Sequence, residues 1–307
     1  MLAALYGPEA PRHVYLLVDG TLRAEVAGLF DLDVIEAPAR SLFQGEAEET
    51  MGEAGPWLVD MSISDPREPG DVSILQDLLA RHWPAGYSIL VSTDAPFEAI
   101  RRHLRRFIQL PILEDGRSLT FRFWDPRVLG PFLATITQDR SRARRMTMTD
   151  EGTSIVYMLP VSADATGGTS AVAVRIVPDK TLEAEPLRPM RLRYADFDTL
   201  ARSRESARRD RMTDRLRADF APELADRPAT DVRATVDAAL DRFGAFGFQD
   251  HAHLHFFAAW SLFYGPDFEQ DDPMGELEEI LRSDAPETER FRAFRRRFET
   301  FTKQRVT

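Results

Sequence analysis

The sequence predicts an α/β N-terminal lobe, in which helices flank a mixed β-sheet, followed by an all-α C-terminal lobe. Three observations predict it. Short apolar runs of strand length alternate with amphipathic segments from His13 to about Pro160. Residues 161–190 carry ADATGGTS and three prolines and read as a connector with at most one strand, AVAVRIV at 171–177. After Leu192 every periodic segment has helical spacing. The expected division is therefore an α/β domain over 1–160, a connector over 161–190 and a helical lobe over 191–307.

In the first lobe, HVYLLVD (13–19) is an apolar run closed by Asp19-Gly20, the pattern of a buried strand. WLVDM (57–61) and YSILVS (87–92) repeat it after turns containing Pro or Gly. Between them, residues 72–79 place Leu75, Leu78 and Leu79 on one helical face. A helix over 96–106 follows, with Asp94 as its expected N-cap and Phe97, Ile100 and Leu104 along one stripe. FIQLPIL (107–113), the turn Glu114-Asp115-Gly116 and SLTFRFW (118–124) read as a hairpin. Read as a strand, its second half sets Leu119, Phe121 and Phe123 on one face and Thr120, Arg122 and Trp124 on the other. Asp125-Pro126 then opens a helix, with the aspartate as cap and the proline at the first helical position.

In the second lobe, residues 196–216 form a charged, solvated helix. Residues 231–243 align Val232, Val236, Ala239, Leu240 and Phe243 in one stripe. Helices over 251–264, 273–282 and 287–301 complete the lobe.

Composition narrows the function. Fifty acidic against 39 basic residues give a net charge of −11, the wrong field for nucleic acid or an anionic membrane as main partner. The absence of cysteine excludes disulfides, thiolate metal sites and cysteine nucleophiles. No run reaches the ~18–20 apolar residues of a membrane span, and MLAALYGPEAPR lacks the regions of a signal peptide. A cytoplasmic protein is expected.

Motifs that carry chemistry are few in this chain. The chain has no phosphate-binding G-x-x-x-x-G-K-[ST], no G-x-G-x-x-G after a strand and no G-x-S-x-G elbow. Ser41 has no histidine placed to suggest a triad. His251, His253 and His255 crowd the segment QDHAHLHFFAAW, but on a helix only His251 and His255 share a face. Ala252 stands where a zinc helix carries its glutamate, so ordinary first-turn residues are the better reading. The acidic run 267–279 matches no calcium-loop spacing. Arginines at 101–106 suit the negative end of a helix dipole. Phe291, Phe294, Phe298 and Phe301 have the spacing of a core stripe, with Arg295-Arg296-Arg297 opposite. No catalytic, cofactor-binding or metal-binding residue is assigned, and an enzyme is not expected.

The least ordinary stretch is FRFWDPRVL (121–129), where two arginines and a tryptophan cluster at a strand–helix corner. Such residues dominate binding hot spots. They equally suit an Arg–Asp pair that fixes the corner, and the sequence leaves both open.

At these residues the chain resembles the type VI secretion effector chaperones, or adaptors. The resemblance rests on YLLVDG (15–20), RSLFQGE (40–46), GPWLVD (55–60), STDAPFEAIRRHLRRF (92–107) and LTFRFWDPRVLGPFL (119–133), a core of about 13–135 in family order. The segment FGFQDHAHLHFFAAWSLFYGPDFEQDD is more loosely similar to a helical block that follows in that family, and Trp124 stands where tyrosine is commoner. The resemblance implies a protein without catalysis that binds one toxic effector in the producing cell, keeps it soluble and delivers it to the VgrG spike. Residue-level binding sites do not transfer with it, because each adaptor fits its own effector.

The candidate partner-binding residues are Phe43, Arg122, Trp124 and Arg127 in the first lobe and Arg292, Arg295 and Arg296 in the last helix, expected across an inter-lobe cleft. The alternatives are a structural subunit of the secretion apparatus, or a carboxylate-based hydrolase, which requires a deep pocket with perturbed carboxylates.

Overall fold

A computed structural model describes residues 11–22, 38–51, 54–62, 83, 86, 88–161, 170–174 and 188–305. The helix expected over 72–79 lies outside the described residues. The chain divides into two compact units, Met1–Arg202 and Ser203–Thr307.

The first unit is built on a six-stranded sheet. Its strands are β1 (His13–Asp19), β2 (Ala39–Ser41), β3 (Pro56–Asp60), β4 (Ser88–Thr93), β7 (Ile155–Val161) and β8 (Ser170–Val174), in the order β2-β3-β1-β4-β7-β8. Alternating elements allow a mixed sheet, but every one of these pairings is antiparallel. β1 is central. It sets Tyr15 opposite Val91 and Leu17 opposite Ile89 on one side, and Leu17 opposite Leu58 on the other. Val14 to Asp19 are all buried, so both sheet faces are covered here and the strand reads as a continuous apolar run. The one strand expected in the connector is present as β8, but it belongs to the sheet, and Met190 and Leu192 join the core of the same unit. That is why the first unit runs on to Arg202.

Among the described residues this unit has the helices α1 (Glu46–Met51), α2 (Phe97–Arg105), α3 (Pro126–Ile136) and α4 (Arg140–Thr147). Ile100 and Leu104 of α2, Phe132 and Ile136 of α3 and Met146 of α4 pack with Tyr15, Leu17 and Val91 in one core. Asp125 caps α3 as expected, accepting from the Arg127 N–H, with Pro126 at the first helical position. Asp94 does not cap α2. Pro96 holds that position without a side-chain bond, because the residue before a proline is disfavoured from helical geometry, and Asp94 accepts from the Arg12 N–H at 2.9 Å instead.

The hairpin is shorter than expected, β5 (Gln109–Pro111) against β6 (Ser118–Thr120), with Gly116 at φ 73° in its turn. The last ladder bond runs from the Phe121 N–H to the Ile108 carbonyl. The chain then turns, so the expected alternation fails: Phe121, Phe123 and Trp124 are all buried and Arg122 alone points out.

His103, inside the basic run of α2, is buried with its Nε2 3.3 Å from the Met146 carbonyl, which also accepts from the Tyr157 hydroxyl. Burial pushes the imidazole from the ordinary 6.5 down to about 4; the Met146 carbonyl opposes this, while Arg145 and Arg106 reinforce it. The fold therefore holds neutral histidine. Its contribution is complete above pH 6.5, where the unfolded chain is also neutral, and is lost as the pH falls towards 4. Between pH 7 and 5 the loss is about 2 kcal/mol. Burial lowers His255 too, in the same direction. Urea unfolding at several pH values checks this: His103→Gln is expected to flatten much of the slope between pH 7 and 5.

The second unit takes most of α5 (Tyr194–Asp219), then α6 (Ala229–Ala245), α7 (His251–Tyr264), α8 (Glu276–Arg282) and α9 (Glu287–Arg305). The predicted stripe of α6 is buried along its length. Its Phe243 stacks on Phe257 of α7, ring centres 4.0 Å apart. Phe294, Phe298 and Phe301 of α9 are buried against them and Phe291 is partly so. The phenylalanine stripe is thus core. Asp250 caps α7 through the N–H groups of Ala252 and His253, and Gly265, at φ 96°, ends it before Pro266.

Candidate functional site

The sequence blocks that carry the resemblance are each other's partners. Asp19, closing β1, is 4% exposed and accepts from the Thr21 N–H at 3.0 Å, the Thr21 hydroxyl at 2.8 Å, Trp124 Nε1 at 3.1 Å and Arg122 Nη2. One buried carboxylate thereby ties YLLVDG to FRFWDPRVL across 105 residues. A carboxylate in such a place needs its lone pairs filled, and four donors fill them.

A second tie joins RSLFQGE to α2. Arg101 Nε and Arg105 Nε donate to the carbonyls of Ser41 and Leu42, each at 3.0 Å. Arg102 and Arg106 pair with Glu151 and Asp150. The basic run therefore clamps the chain after β2, which is more than the helix dipole required. A third tie is apolar. Phe43 lies over Gly55, where an added Cβ would fall 2.5 Å from the ring, so that only glycine admits it.

These contacts give each of the first four candidates a place within the first unit. Trp124 is in the core rather than on the surface, and Phe43 is part of the packing over Gly55. Arg122 stays half exposed but is bonded to Asp19. Arg127 forks onto Asp125, with Nε–Oδ1 at 2.9 Å and Nη2–Oδ2 at 2.8 Å. Arg–Asp pairs of the kind expected at the strand–helix corner are therefore present.

A further tie gave no signal in the sequence. Arg142 of α4 forks onto Asp196 at the start of α5, at 3.2 and 2.5 Å, with both side chains almost sealed from water. The same carboxylate accepts from the Arg193 N–H at 2.8 Å, and the Arg142 guanidinium lies 5.3 Å from the centre of the Phe132 ring.

In the second unit the structure keeps its three candidates together. Arg292, Arg295 and Arg296 are exposed on α9 and line a groove of about 940 Å³ against α8, with Glu276, Glu279 and Glu289 among its charged walls and Ile280 and Ala293 on its apolar part. Arg295 pairs with Glu299 one turn on, at 3.1 Å. Arg297, the third of the arginine triplet, turns inward to Asp272 (Nε–Oδ2 2.9 Å) and holds that carboxyl below the usual carboxylate range. Arg242 pairs with buried Glu269 at 2.6 Å, where burial nonetheless raises the carboxyl. The acidic run 267–279 therefore contributes internal ion pairs as well as a solvated face.

The histidines of α7 diverge. His253 bonds Glu287 at 2.8 Å and stacks on Phe291, His255 lies 3.2 Å from Asp219, and His251 is exposed. No group of three metal-ligating side chains forms among the described residues. Among those residues, too, no helix is long and apolar enough to cross a membrane.

Residues 14–143, from β1 to α4, match the model of a family described as a domain of unknown function (DUF4123). The match covers less than half of the chain and leaves the helical unit outside it. At the level of the family, DUF4123 is associated with effectors of the type VI secretion system. No curated protein and no solved structure matches the chain.

Proposed function

We propose that this protein is a non-catalytic, effector-specific adaptor–chaperone: it binds one type VI secretion toxin in the cytoplasm of the producing cell, stabilises it and loads it onto the VgrG spike. The observation that carries this reading is the family match over residues 14–143. The structure supports it in two ways. Among the described residues, the buried carboxylates Asp19, Asp196, Glu269 and Asp272 each pair with an arginine of the fold, Arg122, Arg142, Arg242 and Arg297. The helical unit also offers a groove of about 940 Å³ lined by charged side chains of both signs.

The chaperone effect follows from mass action. An adaptor that binds only the folded toxin, present at 100 times its dissociation constant, stabilises that toxin by about 2.7 kcal/mol. The test is affinity purification of the tagged chain from its own host, read by mass spectrometry. One large toxin and a VgrG protein in near-stoichiometric yield are expected. Recovery of the chain alone, or with metabolic enzymes, contradicts the reading.

A further inference from the structure

Arg292 and Arg296 lie one turn apart on the same face of α9. Like charges at that spacing repel and cost a helix a few tenths of a kcal/mol. The other arginines of α6 and α9 that face carboxylates are used internally: Arg233 by Asp237, Arg242 by Glu269, Arg297 by Asp272. The guanidinium groups of Arg292 and Arg296 make no ion pair or hydrogen bond among the described residues, although both stand on the wall of the groove. Across it, the carboxylate of Glu279 is also unpaired among those residues, and Ile280 and Ala293 form an apolar strip between the two charged walls. The groove thus has an acidic wall on α8, with Glu276 and Glu279, and a wall on α9 where Glu289 and Glu299 stand among the arginines but, among the described residues, only Arg295 is in an ion pair, to Glu299; Ile280 and the small Ala293 supply its apolar part.

We propose that this groove seats an amphipathic helix of the bound effector. The helix carries two acidic side chains a turn apart towards Arg292 and Arg296, an apolar residue between them over Ile280 and Ala293, and a basic residue towards Glu279. A helix is the matching element because its residues three and four apart stand about 5–6 Å from one another, the same repeat that spaces the two arginines. A third helix laid between two others is also a standard packing solution. The inference rests on the adaptor reading and names the surface and the partner chemistry within it.

The test compares the purified wild-type complex with variants R292E/R296E and, as a milder control, R292Q/R296Q. Because neither arginine pairs internally, both variants are expected to keep the wild-type melting temperature. Charge reversal is expected to weaken effector binding at least tenfold, neutralisation less, and both more at low than at high salt. A photocross-linker at Ser283, on the groove, identifies the occupant. Cross-links to a helix of the effector with an acidic edge support the proposal. Cross-links to a basic or non-helical segment or to a second copy of this chain overturn it, as does undiminished binding by R292E/R296E. If the wild-type chain captures no effector at all, the adaptor reading fails first and this surface with it. If it captures one that the variants also bind, only the surface is wrong.

Discussion

Replacing Asp196 by alanine is expected to cost about 3–5 kcal/mol of folding stability, the range for breaking a buried ion pair from one side. The reason is the company the carboxylate keeps. It is nearly sealed from water, forks with Arg142 and caps the chain at the Arg193 N–H. Removing it leaves the Arg142 guanidinium buried and uncompensated, beside the Phe132 ring and the α3–α4 packing. Arg142→Ala should cost a similar amount for the mirror-image reason. A double-mutant cycle separates the pair from its surroundings: if the double variant loses much less than the sum of the singles, the cost is that of orphaned charge. Equilibrium urea unfolding is the measurement. A loss below about 1 kcal/mol for either single variant places the pair among ordinary surface bridges.

Trp124→Ala should be comparably severe, about 3–5 kcal/mol, because it empties a large core site and removes one of four donors from Asp19. The two contributions can be divided. Trp124→Phe keeps most of the ring volume and deletes only the Nε1–H bond to a charged acceptor, for an expected cost of about 1.5–3 kcal/mol. Asp19→Asn keeps the size and tests the charge. If Trp124 instead acts as a surface anchor for a partner, the alanine variant will unfold like wild type and fail only in binding. Its burial argues for the stability outcome.

These two expectations mark what was legible in the sequence and what was not. Local chemistry was legible. The Asp125-Pro126 helix start, the Asp250 cap, the Gly265-Pro266 stop and the buried stripe of α6 all depend on neighbours within a few residues, and all stand as expected. The expected order of an α/β lobe followed by helices also stands. Alternation failed at residues 121–124 because a turn replaces the strand there, and periodicity carries no information once the backbone leaves its repeat. The cap at Asp94 failed for a similar reason, the proline two residues later setting where the helix can begin.

Long-range pairing was not legible at all. Arg142 and Asp196 are 54 residues apart and Trp124 and Asp19 are 105 apart. An arginine-rich, aromatic cluster looks the same in sequence whether its donors point to water or to a buried carboxylate. For that reason the donation of Trp124 and Arg122 to Asp19 could not be read from the sequence, where both stand as interface candidates. The last-helix arginines divide the same way: Arg297 turns inward while Arg295 and Arg296 stay out, though nothing in the triplet distinguishes them. The stripe of phenylalanines fixes the division, since it sets which side of α9 faces the core.

The central claim, that this protein carries an effector rather than building the apparatus or catalysing a reaction, is tested most directly by deleting it from the producing cell and following secretion. The adaptor account predicts that one toxin, the one captured by affinity purification, falls in abundance and disappears from the medium. Other secreted components should continue to be exported, and the wild-type chain should restore the loss. Export of that toxin at an undiminished level contradicts the account. So does arrest of all secretion, which is the signature of a structural subunit.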